Sequence, residues 1–142
     1  MRRNNIEYRL LLSTYEVCAR FPPNNFILSN IRMNTYRFTN LLLYLPDVSV
    51  IELNKVILSE DCSVNVNKNT RFTIRQLFFR RCTGLTIKYL EEVLKKLNIN
   101  STFVESLRVI FIEDDNVGKA QVDWLNNNLG NLGYKNVKVF QR

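Results

Sequence analysis

Apolar residues return in one arrangement, whole or in part, at four places along this chain. In IRQLFFRRC the positions are Ile74, Leu77, Phe79 and Cys82; in DVSVIELNKVIL they are Val48, Ile51, Leu53 and Val56, with Leu58 two further on. NNFILSNIRM offers Phe26, Leu28, Ile31 and Met33, and SLRVIFIEDDNVG offers Leu107, Ile110, Ile112 and Asp115 with Val117. The alternating pair in each stretch predicts a strand with one buried side. Helical spacing follows in three places. Leu90, Val93, Leu94 and Leu97 recur after a turn at Gly84, RFTNLLLYLPD predicts a helix closed by Leu-Pro, and KAQVDWLNNNLGNL predicts another.

With the first residue of each alternating pair as marker, the strands begin at Phe26, Ile51, Leu77, Ile110 and Val137, in steps of 25, 26, 33 and 27 residues. The long step contains NINSTFVES, residues 98–106, predicted to be a loop inserted after a helix. A competing register puts Leu107 and Val109 in the buried pair. The last strand is YKNVKVFQR, with Tyr134, Val137 and Val139. Upstream, IEYRLLLSTYEV with Leu10, Leu12 and Tyr15 predicts an opening strand or cap, set apart by Pro22-Pro23. Residues 1–22 are therefore assigned to that cap and residues 23–142 to one repeat domain.

A strand and a helix that each bury one face cannot seal a core alone and need neighbours above and below. An ordinary α/β domain with a parallel sheet has the same alternation of elements but no reason to keep a near-constant step. The frame from Ile74 to Leu97 resembles the leucine-rich repeat of the cysteine-containing type, with Ile74, Leu77, Phe79, Cys82, Leu85, Thr86, Leu90 and Val93 or Leu94 on the family positions. The resemblance covers about residues 23–142. It implies an α/β solenoid, a short horseshoe of about five strand-helix repeats with a parallel sheet on the concave face. Such repeats are best known as the substrate-recognition halves of F-box ubiquitin-ligase adaptors. Small free-standing proteins of similar type include the coupling factor B group of ATP synthase. No F-box-like helical segment precedes the repeats here, so adaptor service in a ubiquitin ligase is expected to need another subunit or a longer parent chain.

Composition narrows the chemistry. A chain of 142 residues, 46% hydrophobic, is expected to form one domain. No run of eighteen apolar residues predicts a membrane span, and Glu7 and Arg9 interrupt any secretory signal after MRRNN. Three cysteines, Cys18, Cys62 and Cys82, show no C-x-x-C spacing and the chain has no histidine. Zinc and disulfides are thus not expected, and an intracellular, reducing compartment fits, whether cytoplasm, nucleus or mitochondrion. Cys82 is expected to bury at the strand end with its thiol aimed at turn carbonyls. The sequon Asn100-Ser101-Thr102 reads as chance. Without histidine the commonest general base is missing, and no phosphate-cradling glycine loop is present. Glu113, Asp114 and Asp115 are consecutive and alternate faces on a strand, so they predict a solvated strand end and not a metal site. No catalysis, cofactor or metal is expected.

What remains is the outward side of the strands. The frame points Ile27 and Ser29, Glu52 and Asn54, Phe78 and Arg80, Phe111 and Glu113, and Lys138 and Phe140 away from the core, with Arg81 beside them. The middle row is expected to read Ile27, Glu52, Phe78, Phe111, Lys138. Aromatics beside arginine and carboxylates are types that dominate protein contacts, so a protein partner is expected and service as a subunit of a larger complex follows. A net charge of +7 and a pI near 9.5 keep nucleic acid as a second class of partner, since Arg80-Arg81 adjoins Phe78-Phe79. The lysines Lys88, Lys95 and Lys96 are dispersed on helix faces, which weighs toward simple solubility. The last strand is expected to expose unpaired backbone on its outer edge. That edge, or the flank of the helix at residues 119 to 132 with Trp124, is expected to meet a partner subunit or a second copy.

Overall fold

A computed structural model of the chain describes residues 5–8, 25–44, 48–59 and 69–142. Leu10, Leu12, Tyr15, Cys18, Pro22, Pro23 and Cys62 lie outside the described residues. The elements are β1 (Asn5–Tyr8), β2 (Asn25–Ser29), β3 (Arg32–Asn34), α1 (Thr35–Tyr44), β4 (Val50–Asn54), β5 (Ile57–Ser59), β6 (Gln76–Arg80), α2 (Ile87–Leu97), α3 (Ser101–Ser106), β7 (Val109–Glu113), α4 (Lys119–Asn128) and β8 (Lys138–Gln141). The fold is α/β. Strands β1, β2, β4, β6, β7 and β8 form one sheet in that order, every neighbouring pair parallel, and β3 and β5 form a second, two-stranded parallel sheet.

Register follows the apolar frame through four strands. Phe26 pairs with Ile51, Ile51 with Leu77 and Leu77 with Ile110, and Leu28, Leu53, Phe79 and Ile112 align in the same way. All eight are buried. The register that begins at Ile110 is the one formed, because Leu107 is already buried before the strand and Val109 faces outward, half-buried. Strand β1 sets Ile6 opposite Phe26.

Three of the four inner strands, β2, β4 and β6, end in the same bend. Asn30, Lys55 and Arg81 all adopt left-handed backbone, with φ of 60°, 56° and 52°. That conformation is uncommon for lysine and arginine, and ladder bonds offset its cost. Asn30 donates its N–H to Asn54, Lys55 to Arg80 and Arg81 to Glu113, at 3.1, 2.9 and 2.7 Å. The bend then drives Ile31, Val56 and Cys82 into the core. Beyond it the chain stays laddered, with Ile57 donating to Ile31 and Thr83 to Val56. Gly84, at φ 84°, lies so close to this ladder that a Cβ there would overlap the Leu58 carbonyl oxygen.

The helices pack their apolar stripes onto the buried side of the sheet. On α2, capped by Thr86 accepting from the Tyr89 N–H at 3.0 Å, the inward residues are Ile87, Tyr89, Leu90, Val93, Leu94 and Leu97. Phe38 of α1 sits against Phe79, with ring centroids 6.0 Å apart.

Three sequence expectations need correction. Residues 98–106 are not a plain loop, since Ser101–Ser106 is helical. Asn100 caps that helix by accepting from the Phe103 N–H and donates to the Thr70 carbonyl at 2.8 Å, and Phe103 is fully buried. Thr102 accepts from the Phe72 N–H and donates to Thr70, so the sequon residues tie the segment before β6 to α3. Asp115 is exposed, and Val117 is the residue that enters the core after β7. In the last strand Ile110 pairs with Val139 and not with Val137, and Phe140 stands opposite Phe111. A slip of two residues keeps every side chain on its own face, so alternation alone does not choose between the two registers.

Replacing Asn100 with alanine removes a cap worth about 1 kcal/mol and takes away one of the two side-chain donors to the part-buried Thr70 carbonyl. A loss of about 1–3 kcal/mol in urea unfolding is expected, and an unchanged midpoint would show that α3 does not depend on the cap.

Candidate interaction surface

Parallel strands about 4.8 Å apart line up equivalent side chains in rows, and the sheet face turned away from the core carries three. The first row is Asn25, Val50, Gln76, Val109 and Lys138; the second is Ile27, Glu52, Phe78, Phe111 and Phe140. The third runs Ser29, Asn54, Arg80 and Glu113, and Arg142 follows, its N–H donating to Ile112. Of the nine residues singled out from sequence, Glu52, Asn54, Phe78, Arg80, Phe111, Glu113 and Phe140 therefore share this face in neighbouring positions. Lys138 moves from the middle row to the margin with Val109. Arg81 sits on the left-handed bend, exposed.

The second row forms an aromatic ladder. Ring centroids are 5.4 Å apart for Phe78 and Phe111 and 5.6 Å for Phe111 and Phe140, with interplanar angles of 33° and 28°. Rings on adjacent strands spend their faces on each other. Cations cover the ladder: Arg80 lies 4.8 Å and Arg142 5.4 Å from the Phe78 centroid, and Arg142 is also 5.9 Å from Phe111. Lys138 lies 5.3 Å from the Phe140 ring. Each such contact contributes about 0.5–1 kcal/mol where solvent reaches it. Phe78 points outward as expected yet is only 7% exposed, which removes it as a direct contact and makes it the base on which Arg80 and Arg142 rest. Phe140, 40% exposed, is the open end of the ladder.

Arg80 also joins two carboxylates from flanking strands. Its Nε is 3.5 Å from Glu113 and 3.9 Å from Glu52, and Arg81 Nε is 3.9 Å from Glu113. These separations are ionic, with no hydrogen bond donated by Arg80 Nε, and partly exposed pairs of this kind contribute at most about 1 kcal/mol. Asn54 Oδ1, beside Arg80, is buried without a hydrogen-bond partner. Two residues important to this region were absent from the sequence reading. Arg142 becomes legible once Val139 is set opposite Ile110, which carries Arg142 to the level of Glu113. Asn126, on α4, carries no sequence signal and hydrogen-bonds to Val139 through its side chain.

No protein-family model, curated protein or solved structure matches this chain. Any functional reading therefore rests on its own geometry.

That geometry includes a cleft of about 380 Å³ at the bend end of β6 and β7, lined by Arg81, Cys82, Thr83, Glu113, Asp114, Asp115, Asn116 and Arg142. Among the described residues no group of three or more cysteine, aspartate or glutamate side chains is arranged to hold a metal ion, so the acidic run does not close on a cation. Among them, too, no helix is long and apolar enough to cross a membrane. Cys82, at the back of the cleft, is 1% exposed and its thiol lies 3.3 Å from the Leu53 carbonyl and 3.6 Å from that of Arg80. It thus donates across to the preceding strand, in the role its position suggested. Burial pushes the thiol up to about 11 from an ordinary value of 9.0.

A thiol whose folded pKa is raised stabilises the fold in its neutral form. That contribution is complete below about pH 9 and is lost as pH rises toward about 11. Native Cys82 is accordingly expected to resist alkylation at pH 8 and to react once the chain is unfolded. Mass mapping of the peptide containing Cys82 checks it, and rapid labelling of the native protein would contradict the burial.

Proposed function

We propose that this chain is a leucine-rich repeat solenoid of the cysteine-containing type, serving as a non-enzymatic protein-interaction module within a larger assembly. The bends at Asn30, Lys55 and Arg81, spaced 25 and 26 residues apart, support the repeat reading, as does a cysteine thiol that bonds the strand before its own. The observation that carries the interaction reading is the ladder of Phe78, Phe111 and Phe140 layered with Arg80, Arg142 and Lys138 on the sheet face opposite the helices. Arginine and aromatic side chains lose little freedom when a partner covers a surface already stacked in place, which is how binding hot spots are built. Contacts are assigned to Arg80, Arg142, Phe111 and Phe140, with Phe78 beneath and Glu52 and Glu113 orienting Arg80. An adaptor or assembly subunit is the job that suits such a surface.

Nucleic acid is the weaker partner class on physical grounds. Base stacking needs open ring faces, and here the faces are turned to one another, while Glu52 and Glu113 oppose phosphate. Binding to generic RNA or DNA is expected to be weak and to fall steeply between about 50 and 200 mM salt. Sub-micromolar binding of one oligonucleotide at physiological salt, lost in Arg80→Ala and Arg81→Ala, would reverse the order of the two readings.

For the protein-binding reading, the protein is used to capture partners from native extract, and affinity for the principal partner is then measured with variants. Arg80→Ala, Phe111→Ala and Phe140→Ala are each expected to weaken binding by about 1–3 kcal/mol while leaving the fold nearly as stable. Phe79→Ala, in contrast, opens the core and is expected to cost about 3–5 kcal/mol of stability. Unchanged affinity in all three surface variants would move the binding site off this face.

A further inference from the structure

Among the described residues, strand β8 lies at one edge of the parallel sheet and β1 at the other. Such edges are complementary: the outer side of β8 in one copy presents what the outer side of β1 in another needs to continue the same parallel ladder. A head-to-tail contact of that kind leaves a free edge on each added copy, so it propagates into a ring or an open filament.

The sequence predicts bare backbone along the outer edge of β8, and the structure corrects that expectation at Val139. Lys138 and Arg142 donate their N–H groups toward β7, at 3.0 Å to Arg108 and 2.8 Å to Ile112. The intervening Val139 therefore turns its own N–H and C=O to the outer side. Both are occupied. The Val139 N–H donates to Asn126 Oδ1 at 2.8 Å, and Asn126 Nδ2 donates to the Val139 carbonyl at 2.9 Å. One carboxamide thus makes the two bonds that a residue of an added strand would make. Asn126 is set for this by α4, which precedes β8 and packs on it through Val122 and Leu125.

We infer that Asn126 is an edge guard, a side chain that substitutes for a neighbouring strand at Val139 and keeps copies of this chain from pairing head to tail. This role is independent of the aromatic face.

Asn126→Ala tests it, since alanine favours the helix and removes nothing else. Hydrogen exchange at the Val139 amide is read by NMR, and mass by sedimentation across a wide concentration range. In the variant at low concentration the amide is expected to exchange about tenfold faster or more than in wild type. At high concentration the variant is expected to exceed the wild-type mass, with the Val139 amide becoming protected again as strands pair over it. Exchange that does not change, a mass equal to wild type throughout, or association that leaves the Val139 amide fast would each overturn the inference. Should Asn126→Ala melt too low to assay, Asn126→Gln, whose longer side chain cannot hold both bonds in the same geometry, is read by the same criteria.

Discussion

The left-handed bend that ends β2, β4 and β6 is the constraint on which the rest of this structure depends. By turning the chain at Asn30, Lys55 and Arg81 while keeping each bend residue bonded to the next strand, it lets strands add in chain order without a change of register. Constant register is what converts a sequence pattern into rows of side chains. An uncommon backbone conformation at lysine and arginine is tolerated because the same residue gains a ladder bond and sends its successor, Val56 or Cys82, into the core. Cys82 shows why a small weak donor suits that place: its thiol meets the Leu53 and Arg80 carbonyls, where a larger apolar side chain would leave both without it.

Rows explain the exposed face. Aromatic side chains on three neighbouring strands, at strand spacing, stack nearly in parallel, and the cations in the adjoining positions come within reach of the rings. The ladder therefore hides Phe78, which alternation alone places outward. Facing and burial are separate questions on a sheet, and the second depends on the neighbours across the ladder.

Four strands and three helices were legible because their apolar residues repeat at periods set by backbone geometry. The last strand was misaligned by two residues for a definite reason. Tyr134, Val137 and Val139 reproduce the apolar spacing, but Tyr134 is used elsewhere: its hydroxyl donates to the Leu94 carbonyl at 2.6 Å and its ring meets Phe103 edge-on. A turn at Lys135 and Asn136 follows Tyr134, so the strand begins at Lys138, later than the frame implies. Helix α3 was missed because six residues are too few to show a period, and its cap, Asn100, lay inside a motif read for another chemistry. Asn126 was missed because a polar residue on a polar helix face has no pattern; its role exists only once β8 is beside it.

These misses share a cause that bears on function. Apolar periodicity reports what the helices and strands bury, whereas the interaction face and the edge are defined by side chains reaching between elements distant in sequence. Asn126 and Val139 are 13 residues apart, and Arg142 reaches rings on β6 and β7. The two devices also divide the sheet's exposed chemistry. At the β8 edge the Val139 backbone groups are satisfied from within by a carboxamide, while the adjoining ring of Phe140 is left open. What this end of the sheet offers beside Val139 is aromatic and cationic side chains, and side chains, unlike backbone, can be specific.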